Sequence, residues 1–184
     1  MKWVTRDHIH LDRVVCPWLI RRFIDPKAEF IFIAWGKEDA RPKDAIAFAI
    51  PGVELGPHDP HGDTCFDKFL KKYKLDDPAL VEMAKIVSSG VHHAITRGDD
   101  RNKVVALEGI GMDALSEGMM LSTLGDVDNL DKSMVIYDAL YAYCKAHIMM
   151  QQDPSLAQKN MLQRAELLKE PIKQALSGKS VAGK

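Results

Sequence analysis

Residues 5–33, TRDHIHLDRVVCPWLIRRFIDPKAEFIFI, constrain the fold more than any other stretch, because two prolines bracket an apolar run between two β-rich segments. His8, His10 and Asp12 sit two apart, so on an extended strand their side chains share one face. Val14 and Val15 end that strand and Cys16-Pro17 opens a helix, since proline loses nothing at the first helical position. The helix buries Trp18, Leu19, Phe23 and Ile24 and leaves Arg21 and Arg22 beside the end of the strand. Asp25-Pro26 stops it, because the residue before proline is pushed out of the helical region. A thiol, two cations and a helix N-terminus are therefore expected against a His/Asp face.

Downstream, residues 29–35 and 45–50 read as further strands, 53–55 as a short third, and 56–63 as a Pro/Gly-rich loop. Asp63 or Thr64 caps a helix to Tyr73 with Phe66, Phe69 and Leu70 on one face. Asp77-Pro78 opens a helix to about Thr96, and residues 97–103 form a polar loop. Residues 104–124, interrupted by Gly109, Gly111 and Gly118, read as two short helices. Asp131 caps a long helix to about Met150, Asp153-Pro154 starts an amphipathic one to Ser177, and residues 178–184 read as a frayed end. The expected fold is α+β and helix-dominated, with a small N-terminal sheet. Residues 1–150 make one domain, and 151–184 a helical tail packed on it or extending it.

With 25 Lys+Arg against 26 Asp+Glu, the balance argues against a dedicated nucleic-acid binder. No apolar run approaches the roughly 18 residues of a membrane span. The first residues lack the apolar core and cleavage site of a signal peptide. Three widely spaced cysteines make no disulfide framework. The expected location is cytoplasmic. The Met-rich helices and amphipathic tail suggest a homodimer.

Two constellations carry chemistry. His58, His61 and Cys65 combine imidazoles on a bendable loop with a thiol in the first turn of a helix, donors that suit zinc, iron or another transition metal such as manganese. His10, Asp12, Asp67, His92 or His93 are candidates to complete the set. The bland alternative is that the histidines are solvated and Cys65 is a small core residue. Arg13, Arg21, Arg22 and the expected helix N-terminus at Cys16 form the second, an anion pocket of guanidinium forks and unpaired N–H groups. Its bland alternative is a solvated helix face with Arg13 paired to Asp12 or Asp25. Trp18 and the Tyr137/Tyr141 stripe read as core, and Asp138 as a surface acid or a partner to a metal-bound histidine.

Asp12-Arg13, the run CPWLIRRFIDP over 16–26, Ala28-Glu29-Phe30, His58 with TCFD over 64–67, and YDALYAY over 137–143 together resemble the C-terminal domain family of the chromate-resistance protein ChrB, across about residues 3–144. The middle, 88–126, matches weakly, and full-length ChrB regulators carry a further N-terminal region. The resemblance implies a role in sensing or responding to chromate, beside an efflux transporter. Chromate is a tetrahedral dianion like sulfate, and Cys16 as a helix-cap thiolate would supply the redox distinction between them. The leading expectation is therefore a chromate-resistance or oxyanion-stress protein with an arginine pocket near a His/Cys metal or thiol centre. The alternative is a metal-dependent redox or hydrolytic enzyme using His8, His10, Asp12, His58 and Cys65. DNA binding by this chain alone ranks below both.

Overall fold

The computed structural model describes residues 1–100, 102 and 104–177. Its architecture is α+β: a three-stranded parallel sheet near the N-terminus, followed by a helical body. β1 (Lys2–Arg6) lies between β2 (Glu29–Ile33) and β3 (Ile46–Ala47), with Val4 in register with Ile31 and Ala47. Being central, β1 buries Trp3, Val4 and Thr5 completely. A parallel pair needs a crossover, and α1 (Asp12–Leu19) supplies it, continuing as a π-helical turn over Ile20–Ile24. That turn closes with Asp25 N donating to Ile20 O at 2.7 Å.

α2 (Cys65–Tyr73) is capped by Thr64, whose hydroxyl accepts from Asp67 N while the Asp67 carboxylate accepts from Thr64 N. This reciprocal box satisfies two end donors of the helix. Its inner face brings Phe69 against Trp3, with ring centroids 5.7 Å apart. α3 (Pro78–Thr96) is capped by Asp77, and Pro78 sits at its first position. α4 (Glu108–Ser122) crosses α3 so closely that a Cβ on Gly109 would lie 2.6 Å from Ile86 O. α5 (Asp126–Gln152) runs beneath α1 and α3, and Tyr137 and Tyr141 are buried there. The short α6 (Pro154–Ala157) and α7 (Met161–Leu176) follow, with α7 burying Leu168 and Ile172. Among the described residues no helix is long and apolar enough to cross a membrane.

Several boundaries differ from the sequence expectation. β1 ends at Arg6, so His8, His10 and Asp12 do not share a strand face. The chain turns at His8 and Leu11, which have φ of 52° and 44°, and the helix begins at Asp12. Pro17 is therefore inside the helix and Cys16 is in mid-helix. The local signal of proline at a helix start lost to tertiary hydrogen bonds that hold residues 8–11. Asp126 accepts from His8 N and Ile9 N at 3.2 and 2.9 Å, Ser116 Oγ accepts from Leu11 N at 2.8 Å, and Asn129 Nδ2 donates to Ile9 O at 3.1 Å.

Residues 104–124 hold one helix rather than two, because Gly109 is needed for the contact with α3 and does not interrupt. α5 starts five residues earlier than Asp131, with Asp126 and Asp128 in its first turn. The expected strand at 53–55 is reduced to one bridge between Phe48 and Leu55. The single terminal helix is divided, with Asn160 capping α7 anew. The polar loop expected at 97–103 is described apart from residues 101 and 103, and the frayed end at 178–184 lies outside the described residues.

Candidate functional site

The turn at residues 8–11 brings one wall of a cleft of about 680 Å³, and α3 and α4 bring the other. His8, His10 and Arg13 face His93, Arg97, Asp113 and Glu117, with Ala94 and Met120 beneath and Trp35 at the edge. Strained residues such as His8 and Leu11 persist only where surrounding structure fixes them, and they concentrate at functional sites. Here the fixing groups are Asp126, Ser116 and Asn129.

Arg13 is half-buried and donates from Nη2 to His8 O at 3.1 Å. Its guanidinium carbon lies 5.1 Å from the Trp35 ring centroid, and that of Arg6 lies 4.2 Å from it. Arg6 spends its charge on Glu38. No carboxylate among the described residues lies within ion-pairing distance of Arg13 or of Arg97. Asp113 stands between two imidazoles. Its Oδ2 is 2.7 Å from His93 Nδ1, a hydrogen bond, and its Oδ1 is 3.2 Å from His10 Nε2. The second contact is off the line of a hydrogen bond, so His10 Nε2 keeps no partner. Burial lowers the pKa of His10, outweighing the opposing pull of Asp113, so its neutral form dominates at neutral pH.

Unpaired polar atoms cluster in the segment that supplies one wall of this cleft. Among the described residues, six buried side-chain polar atoms lack a hydrogen-bond partner, and five of them belong to Thr5, Asp7, His10, Asp12 and Arg13. A buried donor or acceptor without a partner costs about 1–3 kcal/mol, and of these atoms His10 Nε2 and Arg13 Nε belong to residues that line the cleft, where a bound group could satisfy them.

The residues expected from sequence to form one anion pocket are divided. Arg13 lines this cleft. Arg21 and Arg22 line a larger one of about 850 Å³ on the other side of α1, where their charges are already matched. Arg21 pairs with Asp131 at 2.9 Å, and Arg22 makes a bidentate clamp on Asp138 at 2.8 and 2.6 Å. Asp138 also accepts from Trp18 Nε1 at 2.8 Å, so this carboxylate holds the π-helical turn onto α5. Lys145 in the same cleft is paired with Asp77. In the larger cavity both arginines and Lys145 are thus already paired.

Cys16 is fully buried in the middle of α1 rather than at its cap, and burial together with the neighbouring Cys65 thiol raises its pKa well above the ordinary value. A buried neutral thiol is a poor nucleophile. Cys65 points inward too, donating to Leu55 O at 3.2 Å. Asp12 joins these two from the start of α1, its Oδ2 accepting from Cys65 N at 3.2 Å. Burial pushes this carboxyl up to about 6.

The proposed metal donors are not gathered at one point. Cys65 and Asp12 meet inside, and His10 faces the cleft. His61 is exposed on a loop held by Asp59, which accepts from His61 N and Asp63 N and pairs with Lys68. His58 lies half-buried on the same loop. Among the described residues no three His, Cys, Asp or Glu side chains converge as a metal site would require. His92 turns away toward Asp100 O. Sequence reasoning missed Trp35, Arg97, Asp113, Glu117 and the clamp of Ser116, Asp126 and Asn129. None carries a local pattern, since each acts on residues far away in the chain.

No solved structure matches this chain. Protein ChrB of Cupriavidus metallidurans is 33% identical over 146 residues, an alignment covering 77% of this chain. The chain spans 40% of the length of that curated relative. The family model described as the C-terminal domain of ChrB matches residues 3–144, and the chain therefore belongs to the ChrB C-terminal domain family.

Proposed function

We propose that this domain serves chromate resistance by binding chromate, or an oxyanion of the same shape and charge, in the cleft beside residues 8–13. The observation that carries this reading is the pair of unpartnered nitrogens on one wall, His10 Nε2 and Arg13 Nε, together with two arginines that ion-pair with no carboxylate among the described residues. A tetrahedral dianion offers four acceptor oxygens, and Arg13 and Arg97 supply guanidinium forks to meet them. His10 Nε2 is a further donor in the tautomer that carries its proton there. Asp113 fixes the ring of His93 through the hydrogen bond at 2.7 Å. Trp35 closes the edge and carries Arg6 and Arg13 on its faces. Family membership supports the choice of chromate among oxyanions. On this reading Cys16 and Cys65 act as core residues, and the anion is bound away from them.

The test is calorimetric titration with chromate, with sulfate as competitor. Arg13→Ala removes a charge-assisted contact of roughly 1.5–3 kcal/mol, so affinity is expected to fall about 10-fold or more. Arg97→Gln, on the exposed end of α3, should weaken binding without disturbing the turn at residues 8–11. Cys65→Ser should bind like the parent. Unchanged affinity in both arginine variants would sink the reading.

The second reading is an enzyme, favoured by the His10–Asp113–His93 array, which has the composition of a proton relay. In its metal-dependent form, one zinc, iron or manganese would be held per chain. Elemental analysis of the purified protein beside His93→Ala and His58→Ala addresses it: stoichiometric metal lost in either variant supports this form, and a metal-free parent overturns it.

A further inference from the structure

The cleft beside residues 8–13 is not lined as a simple anion trap. Arg13 and Arg97 bring two positive charges to it, and Asp113 and Glu117 bring two negative ones. A cleft that only attracted a dianion would gain by lacking both acids. The two carboxylates stand one turn apart on the same face of α4. The donors come from the other elements around the cleft: His8, His10 and Arg13 from residues 8–13, and His93 and Arg97 from α3 and its end.

Glu117 is exposed. Asp113 is different, with a side chain only 13% exposed. Its Oδ2 accepts from His93 Nδ1, while its Oδ1 accepts no hydrogen bond among the described residues. That Oδ1 lies 3.2 Å from His10 Nε2, one of the unpartnered nitrogens of the cleft. An oxygen held by this nitrogen therefore arrives beside a carboxylate oxygen. An ionised carboxylate only accepts, so two bare oxygens brought together there repel. A hydroxyl in the same place accepts from His10 Nε2 and donates to Asp113 Oδ1, satisfying both.

Tetrahedral oxyanions differ in whether they carry that hydroxyl. Chromate takes up its first proton near neutral pH, where chromate and hydrogen chromate coexist. Sulfate takes one up only in strong acid. We infer, resting on chromate binding in this cleft, that the form bound is hydrogen chromate with its hydroxyl donating to Asp113 Oδ1, and that Asp113 is the residue that rejects sulfate. Three oxygens remain to accept from Arg13 and Arg97. A single negative charge also suits a lining whose guanidinium groups and carboxylates balance in number. Sulfate has the right shape and no proton to give, and a half-buried acceptor left facing another acceptor lowers affinity by about 10-fold or more. A mismatched polar group separates molecules of one shape better than fit does.

The test is calorimetric titration of the chain with sodium chromate and, separately, sodium sulfate, in the parent, Asp113→Asn and Glu117→Gln, with circular dichroism to check each fold. The parent is expected to bind chromate about 10-fold or more tighter than sulfate. Removing a negative charge lifts affinity for both anions, and Glu117→Gln is expected to do only that. Asp113→Asn replaces the acceptor with an amide that donates to sulfate, so the preference for chromate should vanish. An equal gain for both anions in Asp113→Asn would overturn the inference, because Asp113 would then act as a charge alone. A parent that binds both anions equally would overturn it too.

A second measurement needs no variant. As pH rises from about 6.5 to about 8.5, His8, His10, His93, Asp113 and Glu117 act on both anions alike beside the fixed charges of Arg13 and Arg97, while only chromate loses its protonated form. The ratio of chromate to sulfate affinity should then fall, approaching about 10-fold per pH unit at the alkaline end. A ratio that does not change with pH would count against hydrogen chromate as the bound form. Failure of chromate binding in this cleft looks different: Arg13→Ala and Arg97→Gln would both bind chromate as the parent does. A parent that binds neither anion would overturn both.

Discussion

Asp12 is the residue at which burial and ionisation oppose each other most plainly. It begins α1 inside the protein, accepts from Cys65 N, and leaves its other oxygen unpaired. Its folded-state pKa of about 6 lies above the unfolded value of 3.8. The stabilisation from keeping it protonated is therefore complete below the unfolded value and is lost as pH rises through about 6. A shift of this size corresponds to about 3 kcal/mol between the two ends of that window. Asp12→Asn keeps an acceptor for Cys65 N and removes the titration. Its urea midpoint is expected to be flatter than the parent's between about pH 4 and about pH 7. Parallel pH profiles in the two proteins would show that Asp12 does not titrate across this range.

Among the elements, the turn at residues 8–11 depends most on its neighbours. Two residues with positive φ are held by side chains from α4 and α5. Asn129 is buried and serves both Ile9 O and the Ser133 hydroxyl at 3.1 and 2.9 Å. Asn129→Ala strands both groups, so a loss of about 1–3 kcal/mol in denaturant unfolding is expected. Oxyanion affinity should weaken with it, because Arg13 is tied to His8 O in the same turn. Parent-like stability in this variant would mean that the turn holds itself. The capped start of α2, expected at Asp63 or Thr64, and the Pro78 start of α3 were legible in the sequence because each is local, its donors and acceptors within four residues. The true start of α1 was not, because its determinants lie more than a hundred positions downstream.

For the molecule as a whole, the division into a domain and a tail is open to direct test. α7 contributes two buried side chains, Leu168 and Ile172, and no residue to the cleft beside residues 8–13. Removing residues 154–184 is expected to cost roughly 3–6 kcal/mol, at about 1.5–3 kcal/mol per buried aliphatic side chain. The remainder should still unfold in one cooperative step and bind chromate with unchanged affinity. A truncated chain without a cooperative transition would show that the tail belongs to the core.

Local chemistry in the sequence was enough for the class of fold, the starts of α2, α3 and α6, the core role of Trp18, Tyr137 and Tyr141, and the family, because periodicity and short motifs act within a few residues. It also singled out Arg13 and His10, which line the cleft beside residues 8–13. Only the tertiary structure decided which partners they meet. Asp113 between His10 and His93, the pairing of Arg21 and Arg22 with Asp131 and Asp138, and the inward turn of Cys16 and Cys65 each join distant segments. Electrostatic pairing and burial act through space, and no spacing along a single chain records them.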